Sequence, residues 1–319
     1  MGEQYGYGEI KLFAGSGNPE LAQEISDYLG IPLEPYDLIE FPNENLFVRL
    51  RRSIRGQDVY LIHSMAPPVH RNIMEMLITI DCLKRDSAGR ITAVFPYMAY
   101  ARSDKKDQPR VPITARLVAD MIEVAGTDRY VTIDLHAGQI QGFFSIPGDV
   151  LTAFHILSDY FLEKDLENTV VATADLGFAK KGRNFAAKLG VPLAFVEKRR
   201  IAENRRAEAT NVIGDVKGKN VILVDDEVLT GGSICEATEI LKEHGAEDIY
   251  VSFTHALLME NAVQDLAKEP FQEIVTTNTL PIPKEKRLPN MTILSVAPLL
   301  GEVILRAHEG RSVGELFNE

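Results

Sequence analysis

Residues 221–234 read Val-Ile-Leu-Val-Asp-Asp-Glu-Val-Leu-Thr-Gly-Gly-Ser-Ile. The first four are apolar, and all but Leu223 are β-branched, the pattern of a strand buried on both faces. Ile234, Ala237 and Leu241 then recur at helical spacing, and Gly245 follows as a stop. A buried strand that feeds a helix through a Gly-Gly turn is one unit of a parallel sheet covered by helices. Such sheets bind ligands in the crevice beyond the carboxyl ends of their strands. Asp225 and Asp226 stand at that end, and Thr230, Gly231, Gly232 and Ser233 open the helix. Carboxylates accept hydrogen bonds from sugar hydroxyls. Glycines let the backbone approach an anion, and the amides of a helix start point at it. The stretch therefore offers both parts of a site for a phosphorylated sugar.

Working outward, the same alternation runs through the chain. Ile10–Ala14 reads as a strand, followed by a helix with Asn18 as cap, Pro19 at its first position and Gly30 as its stop. Further strands are expected at 58–62, 91–95, 130–134 and 169–173, with helices at 69–85 and 112–125. The pattern then repeats. Leu29-Gly30-Ile31-Pro32-Leu33 and Leu189-Gly190-Val191-Pro192-Leu193 lie 160 residues apart. Gly56–Ile62 resembles Gly218–Val224 at an offset of 162, and Ala88–Val94 resembles Ala246–Ser252 at 158. Three matches in one order predict an α/β protein of two tandem, pseudo-repeated parallel-sheet domains. Turn residues at 146–149 place the boundary there, giving domains 1–150 and 151–319, with the last residues packing back on the first.

Composition limits the classes of function. The chain has 319 residues, 45% hydrophobic and 25% charged, ordinary values for a globular protein. Its net charge of −12 argues against a nucleic-acid partner. Positive charge is local. Arg102–Arg110 carries Arg102, Lys105, Lys106 and Arg110 against Asp104 and Asp107, and is too polar to join a core. A mobile basic loop over 101–111 suits closure over a polyphosphate. Lys198–Arg206 sets five basic residues against Glu203. Phosphoryl transfer needs positive charge where negative charge spreads in the transition state. Cys82 and Cys235 read as core residues in a reducing compartment. No leader pattern opens the chain, and no apolar run approaches the ~20 residues of a membrane span, so a cytoplasmic protein without a membrane partner is expected.

Residues 221–233 resemble the phosphoribosyl-diphosphate-binding loop of type I phosphoribosyltransferases. Three further stretches narrow the resemblance. They are Pro96–Lys106 with Arg110–Ala115, Asp134–Phe144, and Lys198-Arg199-Arg200. Together they resemble the ribose-phosphate diphosphokinase family from Lys11 to Phe317.

The resemblance implies two domains of phosphoribosyltransferase-like, Rossmann-like topology with the active site between them. It implies transfer of diphosphate from ATP to the C1 hydroxyl of ribose 5-phosphate, with AMP leaving, for nucleotide biosynthesis. Lys198 and Arg200 would clamp the transition state. Phe41, Asn43, Glu44 and Asn45 would meet the nucleotide base, and Arg102, Ser103 and Asp104 would hold ATP. Asp225 and Asp226 would take the ribose hydroxyls, and Leu229, Thr230, Gly231, Gly232 and Ser233 would line the 5-phosphate. His136 and Asp175 match positions linked to Mg2+, the implied cofactor. Homodimers assembling into hexamers are implied, as are ADP or phosphate effectors.

Some residues depart from the family pattern. Leu229 stands at a third aspartate, Ser103 at a glutamine, and Asn43-Glu44-Asn45 at Asp-Gly-Glu. The resemblance also implies an inhibitory nucleotide and phosphate site between subunits, where Gly314 and Val150 each lack a polar contact, so altered allosteric control is expected. His63–Val69 is the first half's counterpart of the acidic loop, and its residues are unsuited to gripping a ribose phosphate in the same way. Two alternatives stay open: a catalytically weak regulatory homologue that binds nucleotide or an active partner, and a phosphoribosyltransferase.

Overall fold

Ile10–Ala14 forms β1, and the amide of Gly15 just beyond it donates to the Ile62 carbonyl at 2.9 Å. The protein is seen here as a computed structural model that describes residues 6–164, 166–174, 176–198 and 210–316. α1 (Pro19–Leu29) begins where its cap predicts, with the Asn18 side chain accepting from the Leu21 amide at 3.3 Å. It ends at Gly30, whose φ of 66° suits glycine.

The elements that follow are β2 (Tyr36–Glu40), β3 (Leu46–Leu50), β4 (Asp58–Ile62), α2 (Val69–Arg85), β5 (Arg90–Val94), α3 (Thr114–Ala125), β6 (Arg129–Ile133) and β7 (Gly148–Leu151). Next come α4 (Phe154–Lys164), β8 (Thr169–Thr173), α5 (Ala179–Leu189), β9 (Leu193–Lys198), β10 (Thr210–Ile213) and β11 (Asn220–Val228). The chain closes with α6 (Gly232–Glu243), β12 (Ile249–Ala256), α7 (Ala262–Leu266), β13 (Phe271–Thr277), β14 (Met291–Leu294) and α8 (Ala297–Glu309).

One sheet has the order β1-β4-β5-β6-β7 with every pairing parallel. The other has the order β10-β9-β8-β11-β12-β13-β14, parallel except for β9 with β10. The run β8-β11-β12-β13-β14 repeats the first sheet strand for strand, as the duplicated sequence predicts. The halves differ at the hairpin that follows their first helix. In the second half β9 joins β8 through Val171↔Leu193, Ala172↔Ala194 and Thr173↔Phe195. In the first half that contact shrinks to one bridge, Leu12↔Leu33, and β2 and β3 form their own two-stranded sheet. Leu33 and Leu193 close the two matching pentapeptides, so the vestigial bridge falls where the repeat places it.

The chain groups into two units. The first runs to Thr152 and also takes Thr279–Pro281 and the segment from Ser295; the second comprises Ala153–Asn278 and Ile282–Leu294. Within the span 151–319, α8 groups with the first unit. A buried polar hub explains why. Asp58 is fully buried and accepts from Arg90 Nε at 2.8 Å and Tyr60 Oη at 3.0 Å, with His308 Nδ1 at 2.8 Å. Arg90 also donates to the Ala307 carbonyl at 3.1 Å, and Tyr60 to that of Ile304 at 3.3 Å. Ser64 Oγ donates to the Thr279 carbonyl at 2.6 Å.

Candidate active site

β11 lies between β8 and β12, the central place for a site at strand ends. Its apolar run was expected to end at Val224. The strand instead continues to Val228, because β12 is long enough to pair Asp225 with Phe253, Glu227 with His255 and Val228 with Ala256. The acidic residues are therefore held in extended backbone. Asp225 is half-buried, and Asp226 and Glu227 are buried. Asp225 Oδ1 accepts from the Asp226 amide at 2.8 Å, and Asp226 Oδ1 from the Glu227 amide at 2.9 Å.

The next residues hang from the segment after β12. The Val228 carbonyl accepts from the Leu257 and Leu258 amides at 3.1 Å, and the Leu229 carbonyl from Met259 at 2.7 Å. Gly231 caps α6 in the left-handed region, at φ 78° and ψ −12°. A glycine there brings no side-chain cap, so the first turn of α6 lacks the oxygen that Asn18 supplies to α1. Thr230, Gly232 and Ser233 are exposed, and a Cβ on Gly232 would meet nothing nearer than Thr230 Oγ1 at 3.9 Å. Leu229 is exposed as well. A helix start of this kind is suited to an anion.

The corresponding crevice of the first unit is filled. His63, the repeat counterpart of Asp225, is buried, and its Nδ1 accepts from the Gly17 amide at 3.2 Å. A Cβ on Gly15 would lie 2.4 Å from His63 Cγ, and one on Gly17 only 1.9 Å from the Ser64 carbonyl oxygen. Glu75, fully buried, accepts from the Ser16 amide at 2.7 Å and from Arg71 at 2.8 Å. Burial pushes the His63 imidazole below its ordinary pKa, against the opposing pull of Glu75.

The nucleotide candidates of the first unit occupy two places. Phe41, Asn43, Glu44 and Asn45 shape the β2–β3 turn. Phe41 N donates to Asn45 O at 2.9 Å, Glu44 N to Phe41 O at 2.8 Å, and Asn43 Oδ1 accepts from Asn45 N at 3.3 Å. The Phe41 and Phe47 rings lie 6.3 Å apart and are 46% and 45% exposed, an aromatic surface open to a flat ring. Phe47 was missed in the sequence. Its signal is an apolar residue at an outward position of β3, between inward Leu46 and Val48.

Arg102 is exposed, as are Lys105, Lys106 and Arg110. Its neighbours turn inward. Ser103 Oγ accepts from the Thr114 amide at 3.2 Å and so starts α3 two residues later than the sequence suggests. Asp104 is buried and accepts from Gln139, a residue given no role above. These two side chains shape the loop. His136 is exposed beyond β6, after Asp134, whose Oδ1 accepts from Thr152 Oγ1 at 3.0 Å. Lys198 closes β9. Arg200 and Asp175 lie outside the described residues, as does most of the basic run 198–206. Cys82 and Cys235 are half-buried, in contrast to the core positions expected, and burial pushes the Cys235 thiol up to about 11.

A doubled parallel sheet with an uncapped Gly-Gly helix start beyond two strand-end carboxylates defines a phosphoribosyltransferase-like α/β protein. Comparison with known proteins makes the class specific. Residues 10–126 match the family model for the N-terminal domain of ribose phosphate pyrophosphokinase, and 200–318 that for the phosphoribosyl synthetase-associated domain. A ribose-phosphate pyrophosphokinase of Caldanaerobacter subterraneus subsp. tengcongensis is 48% identical, over 97% of this chain and 98% of its own. That of Campylobacter jejuni is 45% identical, over 96% and 98%. The crystal structure of phosphoribosylpyrophosphate synthetase from Mycobacterium smegmatis superposes with a TM-score of 0.90 at 43% identity, covering 95% of this chain and all of that one. The chain belongs to the ribose-phosphate pyrophosphokinase family, and its reaction is the synthesis of phosphoribosyl diphosphate. The regulatory homologue and the phosphoribosyltransferase are not favoured.

Proposed function

We propose that residues 225–233 hold ribose 5-phosphate while the β2–β3 turn and Arg102 hold ATP. The observation that carries this reading is the pairing of Asp225 and Asp226 with the uncapped start of α6, which matches a molecule with hydroxyls at one end and phosphate at the other. The C1 hydroxyl attacks the β-phosphorus of ATP in line. A new oxygen–phosphorus bond forms, the bond to the bridging oxygen of the α-phosphate breaks, AMP leaves and the hydroxyl proton is lost. Lys198 and Arg200 stabilise the charge of the transferring group.

Magnesium is the cofactor of this reading. Among the described residues no three His, Cys, Asp or Glu side chains form a metal cage. Magnesium keeps several waters and takes one or two protein ligands alongside substrate phosphates. His136, exposed beyond β6, and Asp175 are the residues assigned to it. Bound there, the ion supplies charge neutralisation on the phosphates.

Self-association is part of the proposal, as dimers within a hexamer. Met74, Leu117 and Val124 are exposed, and Leu77, Ile78 and Met121 line a groove of about 500 Å³ between α2 and α3. Such an apolar face suits a second copy. Val150 in β7 and Gly314 near the C-terminus carry the proposed change in control by ADP or phosphate. No helix of the described residues is long and apolar enough to cross a membrane. A cytoplasmic location fits the two free cysteines.

Gly232→Ala tests the central assignment. The site has room for a methyl group, so the protein folds normally. The methyl group stands between the backbone and the phosphate, and the KM for ribose 5-phosphate rises about tenfold with that for ATP unchanged. An unchanged KM for ribose 5-phosphate overturns the assignment.

A further inference from the structure

α2 begins at Val69, and its next two residues reach two different segments. His70 Nδ1 is hydrogen-bonded to Tyr100 Oη at 3.1 Å, with the ring centroids 6.3 Å apart. Tyr100 stands at φ 64°, in the left-handed region that a residue with a Cβ enters only at a cost. Such a conformation persists where the surroundings enforce it. Ala99 and Ala101 are buried on either side, and Tyr100 between them is turned outward against His70. Its carbonyl accepts from the Ser103 amide at 2.9 Å, which closes a turn over Ala101 and Arg102. The tyrosine held by His70 is thus the first residue of the turn that carries Arg102.

Arg71 is fixed from the core. Its guanidinium donates to the fully buried Glu75 at 2.8 Å. Nε of the same group donates to Glu40 Oε2 at 2.9 Å. Glu40 ends β2 and precedes Phe41, so the bridge holds the root of the β2–β3 turn. An exposed ion pair adds little to stability. A planar guanidinium shared by two carboxylates nevertheless fixes where the outer one stands.

We propose that His70 and Arg71 are positioning residues for ATP, a bracket at the start of α2 that sets where the Arg102 turn and the Phe41 turn stand. His70 acts through Tyr100, and Arg71 through Glu40. This rests on the reading of Arg102 and the β2–β3 turn as the residues that hold ATP.

Steady-state kinetics of the full chain with magnesium, ATP and ribose 5-phosphate test it. His70→Ala, Tyr100→Phe and Glu40→Ala each lower kcat/KM for ATP about tenfold and leave the KM for ribose 5-phosphate within about twofold. All three side chains are exposed, so melting temperatures stay at the wild-type value. The double variant of His70→Ala and Tyr100→Phe is no worse than the worse single one, because both changes break one contact. His70→Asn restores activity, since its amide stands where Nδ1 stood and bonds the tyrosine. Arg71→Lys answers the buried Glu75 with one point charge and cannot span both carboxylates, so it folds and behaves as Glu40→Ala does. Wild-type kcat/KM for ATP in the variants of either arm, or a loss shared equally by ribose 5-phosphate, overturns the bracket. Arg102→Ala and Phe41→Ala separate the two levels of the account. Wild-type kinetics for ATP in both of these reject the assignment of the ATP residues itself. A loss there, with none in the His70, Tyr100 and Glu40 variants, rejects the bracket alone.

Discussion

The imidazole of His63 accepts the Gly17 amide at 3.2 Å, at the position in the first unit that Asp225 holds in the second. The same strand end is a plug in one half and an open acidic crevice in the other. Gly17→Ala forces a Cβ to 1.9 Å from the Ser64 carbonyl oxygen and 2.4 Å from His63 Nδ1. The plug has no room to give, so the variant loses about 1–3 kcal/mol, the cost of overpacking a tight interior. Chemical denaturation read by circular dichroism measures that loss.

His63 also gives the fold a pH dependence. Burial lowers its pKa in the folded state below the ordinary value of 6.5. The unfolded chain then binds the extra proton first as pH falls, so this contribution is intact above 6.5 and declines below it. It levels off beneath the folded pKa. Melting temperatures between pH 7.5 and 5, about one unit on either side of the ordinary histidine value, fall more steeply for the wild type than for His63→Asn. Parallel curves contradict the assignment.

Gly231 and Gly232 are adjacent and differ in what they require. Gly231 has a φ of 78°, whereas Gly232 has no positive φ and open space at its Cβ. Gly231→Ala costs about 1–2 kcal/mol from left-handed strain, and Gly232→Ala costs little. Thermal melts of the two variants give the comparison directly.

Asp58 holds α8 to the first unit through Arg90, Tyr60 and His308. Asp58→Ala leaves the half-buried Arg90 guanidinium without its carboxylate and lowers stability by about 3–5 kcal/mol. Hydrogen exchange followed by mass spectrometry shows protection lost in α8 ahead of β11.

Arg102 is exposed on a loop anchored by Ser103 and Asp104. Arg102→Ala leaves the melting temperature unchanged and lowers kcat/KM for ATP about a hundredfold, the scale of removing one charged donor from a phosphoryl-transfer site. A variant that unfolds, or one as active as the wild type, contradicts the role.

Much of this architecture was legible in the chain. β1, β4, α2 and β8 fall at the residues their apolar spacing marks, and the Leu-Gly-X-Pro-Leu repeat foretold matching strand orders. Such features are local, set by caps, glycines and runs of one polarity. The extension of β11 through Asp225–Val228 was not legible, since charged residues enter a strand only when a neighbour is long enough to pair them. The inward turn of Asp104 was hidden too, because Gln139, its donor, is 35 positions away in sequence. The contact that holds α8 to the first unit was not legible, since Asp58 lies 250 residues before His308.

The most direct test of the whole account is phosphorus NMR of the purified protein with magnesium, ATP and ribose 5-phosphate. The account predicts new anomeric diphosphate signals with AMP accumulating in equal amount. ADP without that product, or no turnover at all, contradicts it.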